Sequence, residues 1–142
     1  MKNIICLCVF VSLVFNATVY ADSEVVENKV NVDIFLENYL LSWATKDEKK
    51  RLMLLNSIWV ENGEHQSPFG HSEGVDSISQ EIAGFLQSNP DVTVEFKNVK
   101  KTGNNVVCDF VVKKPDGTVW IRGVDYFELN DAGKLLKVVG FI

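Results

Sequence analysis

A single acidic residue, Asp125, interrupts an otherwise apolar strand face. Between Val119 and Leu129 the residues alternate in the manner of a strand, and every second position from residue 119 is apolar or glycine except this aspartate. An ionised carboxyl group in such surroundings is costly unless it is paired or hydrogen-bonded. Either a partner lies inside the fold, or the group stays protonated and donates a hydrogen bond. Both interpretations predict an internal site.

His65 is a second group suited to acid–base chemistry, because imidazole titrates near neutral pH. It stands two residues before Ser67, so both side chains would point the same way on an extended segment. We interpret His65 as a candidate proton carrier, and the alternative is a loop histidine at the rim of a site.

The sequence supports few other kinds of chemistry. Several acidic and histidine side chains cluster around residues 64–73, but they show no recognised ligand spacing, so we expect no metal and no cofactor. No glycine-rich phosphate loop, nucleophile elbow or Cys–His pair occurs in the sequence. Phosphoryl transfer, serine hydrolysis and thiol chemistry therefore have no support.

Three helices are expected ahead of the strands. The first follows from apolar residues at helical spacing, namely Val32, Phe35, Leu36, Tyr39, Leu40 and Trp43. Thr45 and Glu48 have capping-box spacing, which predicts a short second helix. Residues 58–60 read as a short strand, and residues 62–72 as an irregular segment punctuated by glycine and proline. A third helix is predicted from about Val75 to Gln87, ending before Pro90.

From residue 92 onward the apolar period changes to two, which predicts strands. They cover residues 92–96, 106–112, 119–129 and 135–142, and are separated by short turns rich in glycine, asparagine and aspartate. Short turns imply antiparallel neighbours. Helices first and a strand meander last indicate an α+β fold whose helices cover one face of the sheet.

The N-terminus has the three-part pattern of a signal peptide: Lys2, an apolar run over residues 4–15, and a Val19-Tyr20-Ala21 triplet that fits a cleavage site. We expect cleavage after Ala21, with a secreted or periplasmic product and no stable membrane anchor. An uncleaved anchor is the alternative, although the run is short of the roughly 20 residues of a membrane span. Residues 22–30 would form a flexible lead-in to one domain over residues 31–142.

The expected mature chain, residues 22–142, is acidic. The full sequence has 14 basic and 19 acidic residues, and Lys2 is the one charged residue of the first 21, so the mature net charge is 13 − 19 = −6. A negative surface argues against nucleic acid as a partner. Cys108 is the one cysteine left after cleavage, and its apolar strand setting favours burial over disulfide pairing.

The chain resembles the SnoaL-like and ketosteroid-isomerase-like branch of the nuclear-transport-factor-two-like superfamily. The stretch from Val124 to Lys134, VDYFELNDAGK, looks like the family's penultimate strand, turn and last strand. The helix segment at 35–43, the Ser67–Gly70 loop and Gly74 also fit. The resemblance implies a cone-shaped curved antiparallel sheet, with three N-terminal-side helices packed over its concave face.

The resemblance also implies roles for particular residues. In ketosteroid isomerases a helix tyrosine and a strand carboxylic acid form an oxyanion hole, and an aspartate before a proline shuttles the proton. By position these correspond to Tyr39, Asp125 and Ser67, the last standing before Pro68. Because a serine hydroxyl cannot act as a base near neutral pH, His65 is the candidate to replace the aspartate. The alternative for Tyr39 and Asp125 is a structural contact between helix and sheet.

An inner lining and an outer face follow from strand parity. A small apolar, oxygen-bearing molecule would suit the inner lining, although the same side chains could simply fill the core; its predicted members are Trp43, Trp59, Ser67, Phe69, Phe85, Phe96, Cys108, Phe110 and Phe127. Trp120 and Tyr126 mark the outer sheet face, where a homodimer surface or two partly covered aromatics are the alternatives.

Three functions remain open from the sequence. The first is small-molecule binding with cofactor-free acid–base chemistry of the isomerase or cyclase kind. The second is ligand binding without chemistry, consistent with Ser67 at the base position. The third is a dimeric partner-binding protein whose core is filled.

Overall fold

The computed structural model describes residues 32–142, which form three helices and six strands. The helices are α1 (Val32–Ala44), α2 (Glu48–Ile58) and α3 (Val75–Ser88); the strands are β1 (Trp59–Ser67), β2 (Gly70–Glu73), β3 (Thr93–Thr102), β4 (Asn105–Lys113), β5 (Val119–Leu129) and β6 (Leu135–Phe141). The predicted signal peptide and lead-in lie outside the described residues. Within residues 32–142, no helix has the length and apolar character needed to cross a membrane.

One curved, open sheet contains all six strands in the order β2-β1-β6-β5-β4-β3. The meander from β3 to β6 is antiparallel throughout, as the short turns predicted. β1 and β6 run parallel, a pairing that the turn lengths did not indicate. The predicted α+β class, with three helices and a curved sheet, is confirmed.

Helix α1 packs its apolar stripe onto the sheet. Phe35, Leu36 and Tyr39 are buried, and the rings of Phe35 and Tyr39 meet Phe127 of β5 edge-on at centroid distances of 5.6 and 5.2 Å. Tyr39 also stacks on Phe96 of β3 at 5.9 Å. These aromatic contacts fix the position of α1, and with it Tyr39, over strands β3 and β5.

The start of α2 differs from the prediction. Asp47, not Thr45, is the N-cap, and its carboxylate accepts a hydrogen bond from the Lys50 backbone N–H at 2.8 Å. The Thr45 hydroxyl instead donates to the Leu41 carbonyl at the end of α1. The predicted capping box is therefore wrong, because an aspartate two residues further on satisfies the same backbone donors.

The segment predicted as irregular is a β-hairpin. β1 continues from Trp59 to Ser67, and β2 pairs with it antiparallel, with Ser67 opposite Gly70 and His65 opposite Ser72. Residues 62–72 carry no apolar alternation, so the sequence pattern missed them. Pairing with β6 supplies the hydrogen bonds that hold β1 in the sheet.

A buried arginine ties the helices together. Arg51 of α2 is 3% exposed, and its Nε donates to the Ser79 hydroxyl of α3 at 2.9 Å. One terminal nitrogen donates to the backbone carbonyls of Thr45 and Lys46 at 2.9 and 3.2 Å. Within residues 32–142 the hydrogen-bond partners of the guanidinium are all neutral oxygens, so dipoles stabilise its charge there.

Strand β5 has the two faces that its alternation predicts. Asp125, Phe127 and Leu129 are buried, whereas Trp120 and Val124 are 44% and 36% exposed. The pattern weakens at the start of the strand, where Val119 is 40% exposed. Asp125 therefore lies on the inner face, between the packed end of the strand and its open end.

Candidate functional site

A cavity of about 570 Å³ lies between the helices and the inner face of the sheet. Its walls are mostly aromatic and aliphatic. The polar side chains on these walls include Tyr39, His65, Ser67, Glu81 and Asp125. This combination of an apolar wall with a few convergent polar groups is typical of small-molecule sites.

Asp125 stands on the sheet wall between two strand neighbours. In the register of the sheet it lies beside Cys108 of β4 and Gly140 of β6. A Cβ atom at residue 140 would lie only 3.1 Å from the Asp125 Oδ1 atom and 3.7 Å from the Ser67 Cβ atom. Glycine at this position therefore leaves space beside the carboxyl group, next to the loop that carries Ser67.

The carboxyl group of Asp125 is held towards its neutral form. Burial raises its pKa to about 7, and the nearby His65 lowers it only in part. No hydrogen bond or ion pair joins Asp125 to another of the described side chains. A protonated carboxyl group on a cavity wall is a hydrogen-bond donor available to a ligand.

Tyr39 reaches the same cavity from α1. Burial and the Asp125 charge raise the pKa of its phenol well above the ordinary value, although the adjacent Trp43 lowers it in part. The indole N–H of Trp43 itself has no hydrogen bond of regular geometry within the described part of the chain. The phenol therefore stays protonated at every physiological pH and is also a donor.

His65 lies at the centre of β1 and is 5% exposed. Its Nδ1 atom is 3.0 Å from both carboxylate oxygens of Glu81 on α3. Burial raises the pKa of Glu81, but the hydrogen bond from His65 and the charges around it outweigh burial, and the pKa lies below its ordinary value. Glu81 is therefore ionised near neutral pH and accepts a hydrogen bond from the His65 Nδ1–H group.

The structure brings together most of the predicted lining. Trp43, Ser67, Phe69, Phe85, Phe96 and Phe110 line the cavity with Tyr39, His65 and Asp125. Phe69 is 77% exposed, which puts it at the mouth of the cavity, in the turn between β1 and β2.

Three predicted lining residues do not face the cavity. Trp59, Cys108 and Phe127 are absent from its walls and pack in the core, at 3%, 1% and 0% exposure. Strand parity identified the inner face of Cys108 and Phe127 correctly, but it could not show that side chains of α1 cover Phe127. Burial raises the pKa of the Cys108 thiol to about 12, so the thiol stays protonated near neutral pH.

Sequence reasoning missed Glu81 and one role of Trp120. Glu81 follows the polar residues Ser79 and Gln80 on α3, and a glutamate there is typical of a solvated helix face. The His65–Glu81 contact spans 16 residues and two elements, so no local pattern indicates it. Trp120, assigned to the outer face, also borders the cavity.

The ionisable groups on the cavity walls are carboxyl groups, imidazoles and the Tyr39 phenol. No lysine or arginine among residues 32–142 borders it, whereas two carboxyl groups do. Over the same residues, no cluster of three or more His, Cys, Asp or Glu side chains has a geometry that could hold a metal ion.

The fold and this site define a member of the SnoaL-like class. The family model for the SnoaL-like domain matches residues 37–138, and the chain belongs to that family. The family predicted from the sequence is thereby confirmed. Among curated proteins, none matches the sequence significantly.

Solved structures agree with this assignment. A proposed isomerase of the SnoaL-like family from Agrobacterium tumefaciens strain C58 is 28% identical, with a TM-score of 0.72, covering 76% of this chain and 93% of that one.

Two more distant structures show the same fold. An NTF2-like protein of unknown function from Exiguobacterium is 21% identical, with a TM-score of 0.61, covering 75% of this chain and 96% of its own. A proposed SnoaL-like polyketide cyclase from Jannaschia is 17% identical, with a TM-score of 0.59, covering 75% of this chain and 83% of its own.

Proposed function

We propose that this chain binds a small, flat, apolar molecule carrying a carbonyl or phenol oxygen, and performs cofactor-free acid–base chemistry on it. The reaction would be of the isomerase or cyclase kind. One observation carries the proposal: the Asp125 carboxyl group is unpaired, and burial raises its pKa to about 7. It lies on the wall of a cavity of about 570 Å³ that Tyr39 and His65 also line.

The three polar groups divide into donors and an acceptor. Tyr39 and protonated Asp125 would donate hydrogen bonds to one ligand oxygen, and negative charge that develops on that oxygen would be stabilised in a dry, apolar cavity. His65, whose Nδ1 proton is held by Glu81, would accept or return a proton at a neighbouring carbon. Below about pH 7 Asp125 is protonated, so donor strength is lost as pH rises through that value.

Thermal unfolding of residues 22–142 against a panel of phenols, planar ketones and steroids tests the proposal. A ligand at about 100 times its dissociation constant should stabilise the protein by roughly 2.7 kcal/mol. Asp125→Asn should weaken that shift. Glu128→Gln is the matched control, because residue 128 is on the same strand with the opposite parity and does not border the cavity.

Compounds that stabilise the parent are then assayed for turnover. Turnover that disappears in both Asp125→Asn and His65→Ala would support the acid–base mechanism. A well-folded parent that no compound stabilises would refute the proposed function.

Ser67 favours a second candidate, ligand binding without chemistry. It stands in the position where ketosteroid isomerases carry their proton-shuttling aspartate, and its hydroxyl accepts the Phe69 backbone N–H at 3.2 Å. Ligand-dependent stabilisation that is lost in Asp125→Asn, with no turnover of any bound compound, would favour this function.

Dimerisation is a further part of the proposal. The outer face of the sheet exposes Val107, Trp120, Val124 and Phe141, an apolar surface that a second copy would cover. Sedimentation velocity should give a dimer for the parent and a monomer for Val124→Lys. A parent protein that sediments as a monomer at all concentrations would refute the proposed dimer.

Export is proposed from the sequence of residues 1–21. Expression of the full chain in a bacterium, followed by intact mass measurement of the exported fraction, should give a chain that begins at Asp22. Recovery of the full-length chain in the membrane fraction would instead indicate an uncleaved anchor.

A further inference from the structure

We propose that Glu81 is a positioning residue that fixes the tautomer of His65, so that the free lone pair on Nε2 faces the cavity. This inference rests on the proposed function for its purpose. The tautomer of His65 can nevertheless be measured without a ligand, because the question is which nitrogen of one buried imidazole carries the proton.

The contact between His65 and Glu81 is buried, and one imidazole nitrogen faces both carboxylate oxygens. The side chains of His65 and Glu81 are 6% and 22% exposed, and the imidazole Nδ1 atom is equidistant, at 3.0 Å, from the two carboxylate oxygens. An ionised carboxylate accepts hydrogen bonds and donates none. In the neutral imidazole the proton must therefore be on Nδ1, which leaves Nε2 as the acceptor.

Neighbouring residues fix the positions of both His65 and Glu81. His65 is in the interior of β1, paired on one side with Ser72 of β2 and on the other with Val138 of β6. Ser72 is itself buried, and its hydroxyl helps to lower the pKa of Glu81. The Trp43 ring lies against the imidazole at a centroid distance of 5.4 Å. The imidazole is thus fixed by strand pairing, by an aromatic ring and by the carboxylate.

The free nitrogen is directed to the cavity. His65 borders the cavity, and Nδ1 faces Glu81 on the helix side. Nε2 makes no hydrogen bond to the described residues. It is also not completely enclosed by them, so a ligand or water molecule can reach it. Asp125 borders the same cavity, so the imidazole and the strand carboxyl group face one space.

The arrangement explains how a base can exist here without the aspartate before Pro68. A carboxylate that orients an imidazole selects the reactive tautomer and stabilises the imidazolium once a proton is taken. Here the carboxylate comes from a helix and the imidazole from a strand, so the base is carried on rigid elements. Asp125, on the adjoining wall, supplies the opposing donor.

Nitrogen-15 NMR of labelled histidine in residues 22–142 tests the inference without any ligand. At a pH where the imidazole is neutral, the parent should show His65 protonated on Nδ1 and unprotonated on Nε2. Glu81→Gln replaces the carboxylate with an amide that can donate as well as accept, so we expect the ratio of the two tautomers to fall by about tenfold or more. Glu73→Gln, at an exposed glutamate of β2, is the matched control and should leave the ratio unchanged.

The outcomes separate this inference from the proposed function. A parent with His65 protonated on Nε2, or a folded Glu81→Gln protein with the parent's tautomer ratio, would overturn the positioning role. If Glu81→Gln does not fold, the spectrum of the parent alone decides, because a His65 proton on Nε2 in the parent would refute the positioning role. A tautomer that responds to Glu81 in a protein that binds no panel compound would leave the positioning role intact and refute only the ligand proposal.

Discussion

Asp125→Asn should change how the stability of the protein depends on pH. In the folded chain the Asp125 carboxyl group has a pKa of about 7, well above the ordinary value of 3.8 for an aspartate, so the folded state keeps its proton over a range in which the unfolded chain has lost it. The contribution of this carboxyl group to stability therefore falls as pH rises between these two values, and does not change on either side. The asparagine variant has no such proton and should lack this slope.

The size of the effect follows from the width of that range. The two values differ by about three pH units, and each unit corresponds to about 1.4 kcal/mol, so the parent should lose about 4 kcal/mol relative to the variant between pH 4 and pH 8. The other titrating groups are common to both proteins and largely cancel in the difference. At pH 8 the variant should be the more resistant of the two to urea.

Urea titrations followed by tryptophan fluorescence, at pH intervals from 4 to 8, measure the difference. Glu128→Gln is the control and should keep the slope of the parent. Carboxyl carbon-13 NMR of the parent should place the Asp125 transition near pH 7. A stability difference between parent and Asp125→Asn that does not vary with pH would refute the conclusion that this carboxyl group is held neutral.

Three further substitutions test the framework around the site. Ser79→Ala leaves the buried Arg51 Nε donor unpaired and should lower the free energy of unfolding by about 1–3 kcal/mol in urea titrations; an unchanged midpoint would show that water replaces the hydroxyl. Asp47→Ala removes the N-cap of α2 and should cost about 1 kcal/mol, measured in the same way; a loss below a few tenths would contradict the cap assignment. Gly140→Ala puts a methyl group 3.1 Å from the Asp125 Oδ1 atom, so we expect the Asp125 carboxyl resonance to shift and ligand-dependent stabilisation to shrink, whereas identical spectra would show that the wall has room.

Much of the fold could be predicted from periodicity. The β5 alternation identified Asp125 as an inward acid, and the 3.6-residue spacing in α1 placed Tyr39 on the buried face. Both signals are strong because each repeats over several turns or residue pairs. The family resemblance then placed these two residues in one site, and the cavity contains both.

The base side of the site could not be predicted fully. β1 is polar along most of its length and is a strand because β6 pairs with it, a cause that lies about 70 residues away along the chain. Glu81 is one polar residue among others on α3, and its importance depends on which strand the helix covers. Single-sequence patterns report local periodicity, and these features depend on contacts between distant elements.

The parallel pairing of β1 with β6 has a consequence for the order of folding. The pairs from β3 to β6 join neighbours along the chain, so each closes a short loop at low entropic cost. The contact of His65 with Val138 instead spans 73 residues and cannot form until the last strand is in place. The strand that carries the imidazole is joined to the strand that carries the carboxylic acid through β6, which lies between them in the sheet. A chain that has formed its hairpins but not the β1–β6 pairing would therefore leave His65 and Asp125 on separate parts of the sheet, with the cavity between them incomplete.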